Sequence, residues 1–222
     1  MGCMQVTHFG HSCVLVEADG ASVLFDPGTF ASGFESLTGL DAIAITHQHA
    51  DHVDLDRLGP LVAANPDAVR CADPQTTAQL ADRDDVGTWT TMGTGATMTV
   101  GTLTLRGTGG RHAVIHPDLP VVDNISYILD TPHRAGAFMH PGDSLYIPFE
   151  PIDVLALPAA APWMKLSESV DYLRGVRPRV AFPIHQGVLS DAGRGVHNAR
   201  IDEMRPEGTE FVVPEHGVAG TL

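Results

Sequence analysis

The sequence is short of cysteine: Cys3, Cys13 and Cys71 are the only ones in 222 residues, and no two of them form a C-x-x-C pair. An odd, widely spaced set leaves no disulfide framework and fits reduced thiols in a cytoplasmic protein. Basic residues are also few, 13 Lys and Arg against 27 Asp and Glu, for a net charge of −14 with His neutral. No basic run interrupts that balance, and neutralising phosphates requires clustered cations, so nucleic acid is not an expected partner. No apolar run approaches the ~20 residues of a membrane span. The start, MGCMQVTHFGHSC, has neither the apolar stretch nor the basic flank of a signal peptide, and Val6 stands where a myristoylation motif needs Ser or Thr. What the chain does have is 12 His beside those carboxylates, a composition suited to holding divalent cations.

The length, with 43% hydrophobic and 18% charged residues, suits one domain over 1–222. Short β-branched runs at Cys13–Glu17, Ser22–Phe25 and Ala42–Ile45 read as strands, the first two joined by an Asp19-Gly20 hairpin turn. Further strands are expected at 68–72, 97–105, 124–130, 136–139, 153–157, 179–183 and 210–213. Leu55, Leu58, Leu61 and Val62 share one face of a helix over 54–64, and Leu166, Val170 and Leu173 recur at helical spacing. Shorter helices are expected at 75–82 and 197–204. Strands in two batches with interspersed helices predict two sheets flanked by helices rather than a doubly wound sheet.

The decisive stretch is Ile45-Thr46-His47-Gln48-His49-Ala50-Asp51-His52, an H-x-H-x-D-H signature directly after an apolar strand. Alternate positions on a strand end project to one side, so His47 and His49 can grip one ion together. Asp51 and His52 lie one turn further on, placed for a second ion. Chance would produce this pattern about once in a thousand chains of this length, which disfavours a merely His-rich polar loop.

The signature resembles that of the metallo-β-lactamase superfamily. The order of the remaining candidates is similar too: His112 in Gly-Gly-Arg-His-Ala, Asp143 in Pro-Gly-Asp-Ser, and His185 in Phe-Pro-Ile-His. Phe9-Gly10-His11-Ser12 and Phe25-Asp26-Pro27-Gly28 resemble the small branch that includes ascorbate-6-phosphate lactonase. The resemblance implies an α/β fold, a four-layer αββα sandwich with metals at one edge. It also implies His47, His49 and His112 on one ion, Asp51, His52 and His185 on the other, and Asp143 between them.

Asp26 would orient a metal-bound imidazole, or else simply begin the turn before Pro27. His112 competes with His116, which borders the substrate or caps a loop; the glycines before His112 favour it. His11 is either a site residue or a loop histidine satisfied by backbone. Trp163 either walls the pocket or packs on the core. His8, His133, His140, His197 and His216 read as surface or capping residues.

A hydroxide shared by two divalent ions would be the nucleophile, with Asp51 exchanging a proton with the leaving group. Zn²⁺ is favoured because His49 stands where di-iron relatives carry Glu, although Mn²⁺ and Fe²⁺ suit similar donors. Val53-Asp54 replaces the Gly-Gly that follows the motif in glyoxalase II, and no basic arm of the RNA-cleaving kind is present. The expectation is a stand-alone hydrolase of a small ester, a lactone foremost, with no membrane partner and a homo-oligomer left open. The alternatives are a phosphodiesterase or nuclease, with Arg111, Arg134 and Lys165 near the mouth, and a metal-binding regulatory protein without catalysis.

Overall fold

The computed structural model describes residues 4–222. The first half of the chain builds β1 (Gln5–His8), β2 (Val14–Ala18), β3 (Ala21–Phe25), β4 (Ala42–Ile45), β5 (Val69–Ala72) and β6 (Thr90–Thr91). The second half builds β7 (Thr97–Val100), β8 (Leu103–Gly109), β9 (Ile125–Thr131), β10 (Arg134–His140), β11 (Val154–Pro158), β12 (Val180–Ile184) and β13 (Glu210–Phe211). β14 (Gly220–Thr221) returns to pair with β1. The strands form two seven-stranded sheets, ordered β14-β1-β2-β3-β4-β5-β6 and β13-β12-β11-β10-β9-β8-β7. Helices α1 (Leu55–Ala64) and α2 (Pro74–Ala81) belong to the first half, α3 (Leu166–Val176) and α4 (Asp191–Met204) to the second.

The layering follows from residue alternation. β4, paired in parallel with both neighbours, is buried throughout. Its Ala42 and Ala44 face the core between the sheets, with Phe25, Tyr127, Phe138 and Phe182, whereas Ile43 and Ile45 face an outer core with Leu58 and Leu61 of α1. A third core joins the second sheet to Val170 and Leu173 of α3 and Ile201 of α4. The result is the expected αββα sandwich in one domain.

Local chemistry sets the element ends. Asp54 caps α1 by accepting from the backbone N–H groups of Asp56 and Arg57. Asp19 and Gly20 turn the β2–β3 hairpin with positive φ at both. Two expectations need correction, and one strand was not among them. The run 97–105 is two antiparallel strands, β7 and β8, turning at Gly101, whose φ is +56°. β1 was not anticipated, because four residues carry too little alternation to read. α4 starts at Asp191 rather than 197: Ser190 caps it through Gly193, and two glycines mask the helical pattern. Cys13 and Cys71 are buried free thiols, and Cys3 lies outside the described residues.

Candidate active site

The candidate residues follow the C-terminal ends of β1, β3, β4, β8, β10 and β12, and so gather at one edge of both sheets. Two glycines permit the close approach. A Cβ on Gly28 would sit 1.8 Å from the carbonyl oxygen of Asp51, and one on Gly142 would sit 2.3 Å from Asn124 Oδ1. His11, Asp26 and His185 hold positive φ, at 49°, 46° and 63°. Such backbone costs on the order of 1 kcal/mol per residue and survives where its surroundings over-determine it.

Two groups of potential ligand atoms result, each spanning less than 4.8 Å. The first is His47, His49, His112 and Asp143; the second is His11, Asp51, His52 and His185. In the first, His47 Nε2 and His49 Nδ1 are 3.0 Å apart, and His112 Nε2 is 3.1 Å from Asp143 Oδ2. Asp143 spans the two groups, since its Oδ1 lies 3.0 Å from His52 Nε2 and 3.1 Å from His185 Nε2. Asp51 Oδ2 is 3.5 Å from His185 Nε2 and 3.9 Å from His52 Nε2.

The far sides of the rings decide what the near sides offer. His185 Nδ1–H donates to the Ala160 carbonyl at 2.7 Å, and His112 Nδ1–H donates to the Ala113 carbonyl at 2.5 Å. His52 Nδ1–H donates to Asp26 Oδ2 at 2.6 Å, and His47 Nδ1 lies 3.1 Å from Thr46 Oγ1. Thr46 in turn gives its hydroxyl and its backbone N–H to the two Asp26 oxygens, both at 2.7 Å. In its neutral form each ring would therefore turn an Nε2 lone pair inward, toward carboxylate oxygens that are also acceptors.

His52 Nε2, His185 Nε2 and Asp143 Oδ1 are buried without a hydrogen-bond partner among the described residues. Acceptors converging in this way repel unless a cation lies among them, so this donor set fits divalent metal. The charges agree. Burial alone would lower His52, yet Asp143 and Asp26 raise it well above the ordinary imidazole value, holding a proton where a cation would serve. Asp143 is held well below the carboxylate range against its own burial by His52 and His185. His47 is lowered, first by burial and then by neighbouring His52.

Asp26 thus accepts from His52 and Thr46 through its side chain while its carbonyl accepts from the Gly28 N–H in the turn. The Trp163 indole N–H donates to Asp143 Oδ2 at 2.9 Å, and its ring lies 5.9 Å from that of His112. His11 joins the second group through Nε2, 2.9 Å from Asp51 Oδ2. His116 does not join either group: it is exposed and accepts from the Asp118 N–H, capping a turn.

His140 caps a carbonyl but is not at the surface. It is fully buried, stacked on Phe25 at 5.4 Å, and its Nε2–H donates to the Ser12 carbonyl. His197 and His216 do cap, on the carbonyls of Ala159 and Phe9. Thr46, beside the His47 motif, and Asn124, which accepts the Asp143 N–H at 2.9 Å from far along the chain, are additional site residues that sequence reasoning missed.

The family model for the β-lactamase superfamily domain matches residues 5–185. The chain belongs to the metallo-β-lactamase superfamily. Among curated relatives, protein Rv0786c of Mycobacterium tuberculosis is 54% identical over 96% of this chain and 97% of its own length. A UPF0173 metal-dependent hydrolase of Carboxydothermus hydrogenoformans is 26% identical over 82% of this chain and 84% of its own. Among solved structures, the metallo-β-lactamase fold protein YhfI of Bacillus subtilis superimposes with a TM-score of 0.75 at 17% identity, covering 100% of both chains. Superfamily membership accounts for the αββα layering and for the gathering of the motifs at one sheet edge.

Proposed function

We propose that this chain is a dinuclear metal-dependent hydrolase of small esters. The observation that carries the proposal is the set of buried, unpartnered acceptors, His52 Nε2, His185 Nε2 and Asp143 Oδ1, facing one another at about the separation of ligands on a shared cation. His47, His49, His112 and Asp143 Oδ2 would hold one ion; Asp51, His52, His185 and Asp143 Oδ1 would hold the other. Imidazole-rich donors with His49 in the motif favour Zn²⁺, with Mn²⁺ and Fe²⁺ as competitors. Bound divalent ions supply a water of lowered pKa and polarise the scissile carbonyl.

The protein's own groups do the rest. Asp51 is about a quarter exposed, at 23% of its side chain, so it can reach both the site and an incoming leaving group to carry a proton. Asp143, ionised and fixed by the Asn124 and Trp163 hydrogen bonds, keeps the two ligand groups in register. Trp163, partly exposed, presents an aromatic wall to a small substrate. The scarcity of basic residues favours a lactone or other small ester over a phosphodiester. The buried free thiols Cys13 and Cys71 favour a reducing, cytoplasmic setting.

The test is elemental analysis of protein purified without chelator, paired with turnover of lactones, thioesters and bis-aryl phosphodiesters. About two ions per chain with chelator-sensitive ester turnover is expected. Turnover of phosphodiesters alone would replace the ester reading. Less than one ion per chain after metal supplementation would overturn the dinuclear one.

A further inference from the structure

His11 lies within the geometric limits of the second group of ligand atoms, and by distance alone it would be a ligand. Its hydrogen bonds set it apart from four of the other imidazoles. His47, His52, His112 and His185 all direct Nδ1 at an acceptor, which in the neutral ring leaves Nε2 as the lone pair. His11 is reversed: its Nδ1 receives the backbone N–H of Gly187 at 3.1 Å. A neutral imidazole that accepts at Nδ1 carries its proton on Nε2. That Nε2–H points at Asp51 Oδ2, 2.9 Å away.

The surroundings hold this orientation. The His11 carbonyl accepts from the His185 N–H at 2.8 Å and from His8 Nε2 at 2.9 Å, which fixes the backbone from both sheets. Residue 187 is glycine, and a Cβ there would stand 2.8 Å from His11 Nδ1. Turning the ring over would put carbon atoms against both Asp51 and Gly187. Coordinating metal through Nε2 would require moving the proton to Nδ1, where it would confront the Gly187 N–H.

We infer that His11 is a positioning residue that donates Nε2–H to Asp51 and is not itself a metal ligand. The inference rests on the two-ion reading for its consequence: the second ion would be held by Asp51, His52, His185 and Asp143, with Asp51 aimed and its charge partly satisfied by His11.

Long-range ¹H–¹⁵N correlation spectra of the histidine-labelled protein, recorded metal-free and after loading with Zn²⁺, test it directly. His11 is expected as the Nε2–H form in both states, whereas His112 and His185 show Nδ1–H with Nε2 shifting on loading. Loss of the His11 Nε2 proton on loading, with a matching Nε2 shift, would overturn the assignment.

Two variants add an independent readout. His11→Gln keeps an N–H donor near the Nε2 position and should retain second-site affinity within about threefold, whereas His11→Phe should lose about 10–100-fold. Equal losses in both would overturn the positioning role. The tautomer is read in metal-free protein and metal content is measured separately. A chain that binds no metal would therefore sink the hydrolase reading while leaving the His11 hydrogen bond to be judged by its own spectrum.

Discussion

His52 and Asp26 form a fully buried pair, Nδ1 to Oδ2 at 2.6 Å, with neither side chain exposed to solvent. The same carboxylate takes both donors of Thr46, so one residue after β3 fixes the entrance to the His47–His52 motif. Asp26→Asn replaces an acceptor with an amide that also donates. It should weaken metal retention about 10–100-fold and destabilise the fold by about 3–5 kcal/mol, as breaking a buried pair does. Metal titration and urea unfolding check both, and unchanged metal retention would refute the orienting role.

His49 is the partly exposed member of its group, and its Nδ1 meets His47 Nε2 at 3.0 Å. His49→Ala should lower metal content and ester hydrolysis together without unfolding the protein. Elemental analysis beside steady-state kinetics reads this. Full turnover with one ion lost would contradict the need for both.

Metal affinity should rise with pH. In the metal-free protein His52 is raised well above its ordinary value, so it stays protonated near neutrality and a cation must displace that proton. Calorimetry in buffers of different ionisation enthalpy should therefore show about one proton released per chain on loading at pH 7. No net release would mean that His52 is already neutral.

Asp73 supplies a prediction away from the site. It caps α2 through Gln75 and Thr76, and burial raises its carboxyl to about 6. A raised acid favours the folded state below its unfolded value and loses that advantage as pH rises through about 6, so the charge is a cost at neutrality. Asp73→Asn keeps the cap without the charge. It should stabilise by about 1–3 kcal/mol at pH 7.5, with the gain vanishing below about pH 4. Equal gain at both pH values would point to a cause other than ionisation.

Gly28 and Gly20 make a contrasting pair. Gly28→Ala drives a methyl group into the Asp51 backbone and should cost about 2–4 kcal/mol and displace the metal motif. Gly20, at φ +80° with nothing nearby, should cost only about 1 kcal/mol on the same change. Thermal melts with metal analysis separate the two, and a benign Gly28→Ala would show that the loop yields.

The legible parts of this molecule were those whose partners lie close in sequence. His47, His49, Asp51 and His52 announce themselves by spacing alone, and α1 by four leucine and valine positions on one face. His112, Asp143 and His185 emerged through family order rather than spacing, because each closes a different strand. The burial of His140 is not legible because it is set by Phe25 and Ser12, more than a hundred residues away, and no local pattern encodes that. Thr46 and Asn124 escaped for the same reason: their hydrogen bonds are determined by the fold. The direction of the His11 ring depends on Gly187, which sequence proximity could not suggest.

Neither sheet carries a complete set of donors for either group. The first group takes His47 and His49 from one sheet and His112 and Asp143 from the other, while the second joins Asp51 and His52 to His185. Ions seated there would act as clasps between the halves of the sandwich. Stripping them would do more than silence the chemistry. It would remove the bonds that tie one half to the other across the seam, and the edge that performs the work would become the edge along which the molecule first comes apart.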